Sequence, residues 1–366
     1  MPIDTADSDA VEFADDDSSE DVAPEEIPTE QRTLRTQPYD KSISDLVKMM
    51  EEGDVILDPD YQRNYIWDDT KASLLIESIL LNVPIPVVYV SEEDDGAWSV
   101  VDGLQRLNTL KRFFESEFKL RRLEILTELN GHNYTSLNPK ASRLLRNGII
   151  RTILISRESH PEIKYDIFMR LNRGAVRLTE QELRNCLYRG GLNDLRHELR
   201  ATQPFLKLLG RDAPHKRMSD AEIVLRYFTL SSGYNPESGK IEKYSGNMRS
   251  SLNRFMDSNK KASPEAVADL RDRFTRAVTN VSTVFGANGF RRMLGEGKFD
   301  DRPNRAIIDA QLIAFQERDP AALVANAGAL KDAFQDLCLS SDFIDAISVR
   351  TSNKAKTELR VRQWYQ

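Results

Sequence analysis

Three short polar clusters interrupt an otherwise apolar pattern in the first half of the chain. The first is Tyr61-Gln62-Arg63, with Tyr65 and Trp67. The second is Asp102-Gly103-Leu104-Gln105-Arg106. The third is Arg170-Leu171-Asn172-Arg173-Gly174, followed by Glu180 and Glu182. Each falls at a boundary between elements, where binding loops concentrate. Arg63, Arg106, Arg170 and Arg173 have the chemistry to surround a polyphosphate, because a planar guanidinium pairs two-pronged with phosphate oxygens. Asp102 or a glutamate of the third cluster could hold Mg2+ or a water. A structural reading is equally open on spacing alone: an aromatic loop anchor, a helix cap and an ion pair.

The second cluster has the clearest local geometry. Trp98 to Val101 reads as a short buried strand, broken by Asp102-Gly103. Apolar residues then recur at 104, 107, 110, 113 and 114, a helical spacing. Gly103 therefore sits at a strand-to-helix turn, with Gln105 and Arg106 in the first helical turn. Backbone N–H groups that lack intrahelical partners, beside an arginine, suit an anion such as phosphate.

Other elements must position this turn. A short amphipathic helix over 42–51 carries Ile43, Leu46, Val47 and Met50 on one face and ends at Gly53. Val55 to Leu57 reads as a strand. Asp68 or Asp69 can cap a helix with Leu74, Leu75, Ile76, Ile79, Leu80 and Leu81 as its apolar residues, stopped by Pro84 and Pro86. Val87 to Val90 and Ile149 to Ile155 are β-branched runs. Pro161 to Leu171 reads as a helix with proline in its first turn, and Thr179 with Glu182 has the spacing of a capping box. From about residue 190 the pattern is nearly all helical, with candidates at 192–200, 203–209, 219–231, 246–258, 264–284, 303–317, 320–337 and 352–364. The expected fold class is α+β. It comprises a disordered acidic tail over 1–35, a mixed α/β domain over 36–190 and an all-helical domain over 191–366.

Charge is unevenly spread. Residues 1–30 hold 12 of the 58 acidic side chains and none of the 51 lysines and arginines, so the remainder is net +5. A mildly basic body permits phosphate-bearing partners, including DNA, without requiring them. The acidic tail reads either as a solubilising segment or as an autoinhibitory, DNA-mimicking one. Cys186 and Cys338 offer no disulfide framework or cysteine metal site, which points to a reducing cytoplasm. Four scattered histidines show no paired ligand spacing. No apolar run reaches about 18 residues, so no membrane partner is expected.

The three clusters, with their flanks, resemble the N-terminal domain of GmrSD-type (type IV) restriction systems. The likeness is carried by Tyr61-Gln62-Arg63-Asn64-Tyr65-Ile66-Trp67, Leu75-Ile76-Glu77-Ser78-Ile79-Leu80 and Val83-Pro84-Ile85-Pro86. It continues through Val101-Asp102-Gly103-Leu104-Gln105-Arg106-Leu107, which matches the family's Asp-Gly-Gln-Gln-Arg box with one change. Phe168-Met169-Arg170-Leu171-Asn172-Arg173-Gly174 and Glu182-Leu183-Arg184-Asn185 complete it. The resemblance covers roughly residues 40–195 and implies a ParB/sulfiredoxin-like fold that binds, and in relatives hydrolyses, an NTP with Mg2+. Carried across by position, Asp102, Gln105 and Arg106 are the catalytic candidates. Gly103 and Arg106 would hold the nucleotide, Tyr61, Gln62 and Arg63 would form a facing wall, and Arg170 and Asn172 a third side. Leu104 stands where the family has a glutamine. If that glutamine positions water or metal, its loss falls on hydrolysis and spares binding. Relatives often control a fused nuclease with a His-Asn-His-type centre. After residue 195 only His197 and His215 remain, in isolation, which argues against such a centre there and for a helical accessory domain that contacts a partner or nucleic acid; a separately encoded nuclease subunit is one candidate partner.

Three functions are thus in view: a nucleotide-binding, weakly hydrolysing defence protein; a DNA-binding or DNA-cutting module independent of nucleotide; and a non-catalytic regulatory partner. For the second, Arg143, Arg146, Arg151, Arg291, Arg292, Arg360 and Arg362 are candidate phosphate contacts.

Overall fold

The computed structural model describes residues 13–15, 33–57, 67–171, 179–295 and 297–365, without the side chains of Glu182 and Cys186. The chain divides into two compact units, one of residues 28–178 and one of residues 1–27 with 179–366.

The first unit is built on a five-stranded mixed sheet. In chain order its strands are β1 (Thr36–Ser42), β2 (Val55–Ile56), β3 (Val88–Glu92), β4 (Trp98–Asp102) and β5 (Ile149–Ile155), and they lie side by side as β1-β5-β3-β4-β2. Strand β1 pairs antiparallel with β5 from Thr36↔Ile155 to Ser42↔Ile149. Its Pro38 has no N–H to give, which suits the outermost strand of a sheet. The sequence pattern did not announce β1, because Thr36-Gln37-Pro38 lacks the apolar alternation of β5. Strands β3 and β5 run parallel, and β3 and β4 form an antiparallel hairpin turned at Gly96.

Helices α1 (Ile43–Glu52), α2 (Asp69–Leu80), α3 (Leu104–Phe114), α4 (Pro139–Asn147) and α5 (Pro161–Leu171) complete this unit. The start signals act as expected. The Ser42 hydroxyl accepts from the Asp45 N–H at 3.1 Å, and Asp68 accepts from the Lys71 N–H at 2.8 Å. The apolar faces of α1 and α2 and the inner residues of β3, β4 and α3 form one core, including Ile43, Ile76, Val88, Leu107, Leu110 and Phe113. Burying each such side chain contributes about 1.5–3 kcal/mol. One buried acid is structural. Glu77 on α2 accepts the backbone N–H groups of Glu124, Ile125 and Leu126 at 3.1, 2.8 and 2.7 Å, tying an irregular segment to the helix.

The second unit is mainly helical: α6 (Glu180–Leu187), α7 (Gly191–Arg200), α8 (Gln203–Leu209), α9 (Ser219–Ser231), α10 (Met248–Ser258), α11 (Pro264–Phe285), α12 (Arg305–Phe315), α13 (Pro320–Ala325), α14 (Ala327–Leu339), α15 (Ser341–Ser348) and α16 (Lys354–Tyr365). It is not all-helical. Two short hairpins, β6 (Tyr234–Asn235) with β7 (Lys240–Ile241) and β8 (Met293–Gly295) with β9 (Lys298–Phe299), interrupt it. Strands this short carry no readable period. The expected 320–337 helix is two helices, α13 and α14, and α15 was not foreseen.

Helix α12 is buried on all sides from Ala306 to Phe315, the mark of a central helix. Its Asp309, 1% exposed, receives Arg226 Nη2 at 2.7 Å and Arg360 Nη2 at 3.0 Å, and both arginines are fully buried. Around it, Phe205, Tyr227, Phe228 and Phe274 pack ring against ring, as do Phe285, Phe315, Phe334 and Trp364.

Three expectations change here. Residues 13–15 of the acidic tail are packed onto the second unit: the Ala14 N–H donates to the Pro303 carbonyl at 3.0 Å, and Asp15 is only 8% exposed. Arg291 and Arg360 are interior groups, not phosphate contacts. Arg291 donates to the carbonyls of Leu208, Ala287 and Gly289, and Arg360 to those of Thr351 and Ala346 as well as to Asp309. A buried arginine with its donors so engaged is part of the scaffold. Arg292 likewise donates to the Cys338 carbonyl at 3.3 Å.

Candidate functional site

Strand β4 ends at Asp102 and α3 starts at Leu104, so the strand-to-helix turn lies where the spacing placed it. Between them Gly103 has φ +100°. A Cβ at that position would meet Val88 Cγ2 at 2.8 Å and Arg106 Nη2 at 3.1 Å. Only glycine fits, for conformation and for space. Gly103 also has no side chain with which to cap α3, and no side-chain cap is present. The N–H groups of a helix start point outward along the axis, where an anion is favoured.

The partner strand shapes the same turn. Tyr89 on β3 pairs with Asp102, while the next residue, Val90, pairs with Val100. The register therefore shifts by one residue at Val101. Such a bulge re-aims the end of a strand.

Arg106 is tightly held. Its guanidinium donates to the Pro86 carbonyl, to the Val87 carbonyl at 3.3 Å and to Asp102 Oδ2 at 2.9 Å. The Arg106 side chain is 13% exposed and that of Asp102 is 40% exposed. Burial pulls the guanidinium pKa below its ordinary value, and the Asp102 carboxylate offsets part of that pull. The arginine thus clamps the segment after Pro84 and Pro86 to the turn and leaves the carboxylate as the open member of the pair. The sequence singled out Arg106 but could not show its partners, since backbone carbonyls 19 and 20 residues away leave no pattern in side-chain types. Tyr89 was missed for the same reason: register is invisible before strands pair.

Gln105 is half-buried in the first turn of α3. Arg170 is exposed near the end of α5, a helix that packs against β4. Tyr61, Gln62, Arg63, Asn172, Arg173 and Gly174 lie outside the described residues. Glu180 and Arg184 belong to the second unit: Arg184 Nη2 meets Glu180 at 3.1 Å, and Arg184 Nε donates to Asn253 Oδ1 at 2.9 Å. Among the described residues no group of three or more His, Cys, Asp or Glu side chains is arranged to hold a metal ion. None of the described helices is long and apolar enough to cross a membrane.

Residues 43–189 match the family model of the GmrSD restriction endonuclease N-terminal domain. The chain carries a GmrSD N-terminal domain. No curated protein and no solved structure gives a match. The GmrSD segment contains the whole turn at 102–106 and runs on through α6. Its last helix, with the Glu-Leu-Arg stretch 182–184, is therefore packed into the second unit.

Proposed function

We propose that this chain is a nucleotide-binding component of a restriction-type defence system, with a ParB/sulfiredoxin-like nucleotide fold in its first unit. NTP phosphates would sit at the start of α3. The observation that carries this reading is the turn itself: an obligatory glycine at φ +100°, a helix start without a side-chain cap, and a half-open carboxylate beside it. The backbone N–H groups would bind the phosphates and Asp102 would hold Mg2+. Mg2+ is commonly bound by one or two carboxylates together with substrate phosphates, so a single aspartate fits the demand. Gln105 would orient a phosphate oxygen or a water. Arg106 would set the turn, because three of its hydrogen bonds run to the Pro86 and Val87 carbonyls and to Asp102. With Leu104 in the box, binding is the primary activity and hydrolysis is weak.

A thermal-shift panel of NTPs with Mg2+ tests the reading, since a ligand of the native state raises apparent stability by mass action. Wild type should gain stability with at least one NTP, and Asp102→Asn should lose the Mg2+-dependent part of the gain. A wild type that responds to no NTP overturns the proposal.

A DNA reading has one observation of its own. Lys140, Arg143 and Arg146 are all exposed on α4. If they contact phosphates, log affinity should fall against log salt with a slope of about −2 to −3. The double change Arg143→Glu and Arg146→Glu should flatten it. A nuclease subunit encoded elsewhere would act on whatever state this chain reports.

A further inference from the structure

The three described residues of the acidic tail are bound like a ligand. The Ala14 N–H donates to the Pro303 carbonyl at 3.0 Å. The Asp15 carboxylate is shared between two donors: the Arg305 N–H at 2.8 Å and the Thr351 hydroxyl at 3.0 Å. The Arg305 guanidinium lies 4.1 Å from the centre of the Phe13 ring. Arg305 is the first residue of α12, so the carboxylate lies at the start of an 11-residue helix, where negative charge is favoured. Asp15 is 8% exposed and Thr351 is fully buried. Four separate contacts thus recognise three consecutive residues: a ring, a backbone N–H and both oxygens of a carboxylate.

We infer that the second unit carries a peptide-docking site of Pro303, Arg305 and Thr351 for a Phe-x-Asp sequence, filled in cis by the chain's own Phe13-Ala14-Asp15.

Charge supports this occupant. Arg302, Arg305 and Arg350 lie in or next to the segments that bind the peptide, and the tail continues from Asp15 into Asp16 and Asp17. Asp300 and Asp301 precede Arg302 in the same segment, so the charge that singles out Asp15 is that of Arg305 and the start of α12. Chemical selectivity follows from the contacts. Asparagine at position 15 would keep one of the two acceptor oxygens and set an NH2 donor in place of the other, against a donor, and would carry no charge to the helix start. Alanine at position 13 would leave the guanidinium without its ring. The tail is then a specific ligand of the second unit, not merely a solubilising appendage. The site's natural competitor is another acidic peptide with an aromatic residue two positions before an aspartate.

The full-length chain provides the test, in two measurements. The first is limited chymotrypsin digestion with the cut after Phe13 read by mass spectrometry. Wild type should be protected and Asp15→Ala should be cut roughly ten- to a hundredfold faster, the range expected for losing a charge-assisted contact. Equal cutting rates overturn the inference. The second is anisotropy of a labelled peptide spanning residues 9–19. It should bind the full-length double variant Phe13→Ala, Asp15→Ala saturably, and bind wild type at least about tenfold more weakly, because the wild-type site is already filled. A peptide carrying Asp15→Asn should fail to bind the double variant. Equal binding to wild type and double variant, or equal binding of a scrambled peptide of the same charge, overturns it. Arg305→Ala in the double-variant background, with the fold checked by circular dichroism, should weaken peptide binding several-fold, because it takes the guanidinium from the Phe13 ring and leaves the backbone N–H that holds Asp15. Undiminished binding there places the peptide elsewhere and overturns the assignment.

Discussion

Asp102 with Arg106 and Asp309 with Arg226 and Arg360 are made from the same chemical groups and are used differently. At Asp309 the carboxylate and both guanidinium groups are almost wholly buried. At Asp102 the arginine is buried but the carboxylate is 40% exposed. The first arrangement is closed: a central helix, a neighbour on α9 and another on α16 are locked through one acid. The second is closed on one side only. Arg106 holds two backbone carbonyls and the inner edge of Asp102, and the outer edge faces solvent. The arginine of the motif here organises the turn through backbone carbonyls, and its more open partner, Asp102, is the group to test for chemistry.

The largest expected effect comes from opening the closed arrangement. Asp309→Asn takes the negative charge from between two buried guanidinium groups, and removing one partner of such a network costs about 3–5 kcal/mol. Thermal unfolding of the full chain should show a large loss of stability. A loss under about 1 kcal/mol would mean that the buried network is not what locks the second unit.

Gly103→Ala strikes the half-open arrangement through its backbone. A non-glycine residue held in a sparsely populated region costs about 1–3 kcal/mol, and the 2.8 Å approach to Val88 adds to it. Urea denaturation should register the loss, and any NTP-induced shift should fall with it. An unchanged midpoint would show that the turn relaxes easily and that the glycine is not required.

A third, pH-dependent effect separates a purely structural acid from Asp102. Burial alone would push the Glu77 pKa up, but the N–H groups of Leu126, Ile125 and Glu124 outweigh it and leave the carboxyl below the ordinary glutamate value. A lowered folded-state pKa means that the stabilisation is present above the unfolded value, about 4.3, and is lost as pH falls through the folded one. Glu77→Gln should cost about 1–3 kcal/mol at neutral pH and remove part of the stability loss below about pH 4. Identical acid profiles for wild type and variant would assign that loss to other carboxylates.

Much of the first unit was legible in the sequence because its signals are local. The α1 face at Ile43, Leu46, Val47 and Met50, the Asp68 cap and the break at Asp102-Gly103 each occupy a few consecutive residues, and all three are in place. What stayed hidden depends on distant pairing. Strand β1 exists because β5 offers it an edge, and Arg106 finds its acceptors on a segment near Pro86. The arginines of the second unit were misjudged for a related reason. A count of basic residues does not reveal which ones α12 draws inside. Cys338 is fully buried; burial lifts its thiol pKa to about 11, and it is a poor nucleophile.

Pro38 carries a consequence for the chain as one molecule among many. A seven-residue strand at the rim of a sheet is a template on which a second copy could add its own strand. Proline at the third position withholds one of the donors such an addition would need, and Asp40 and Lys41 follow it with charge. Runaway strand-by-strand polymerisation along β1 is thereby discouraged in the covalent structure itself, before any partner arrives.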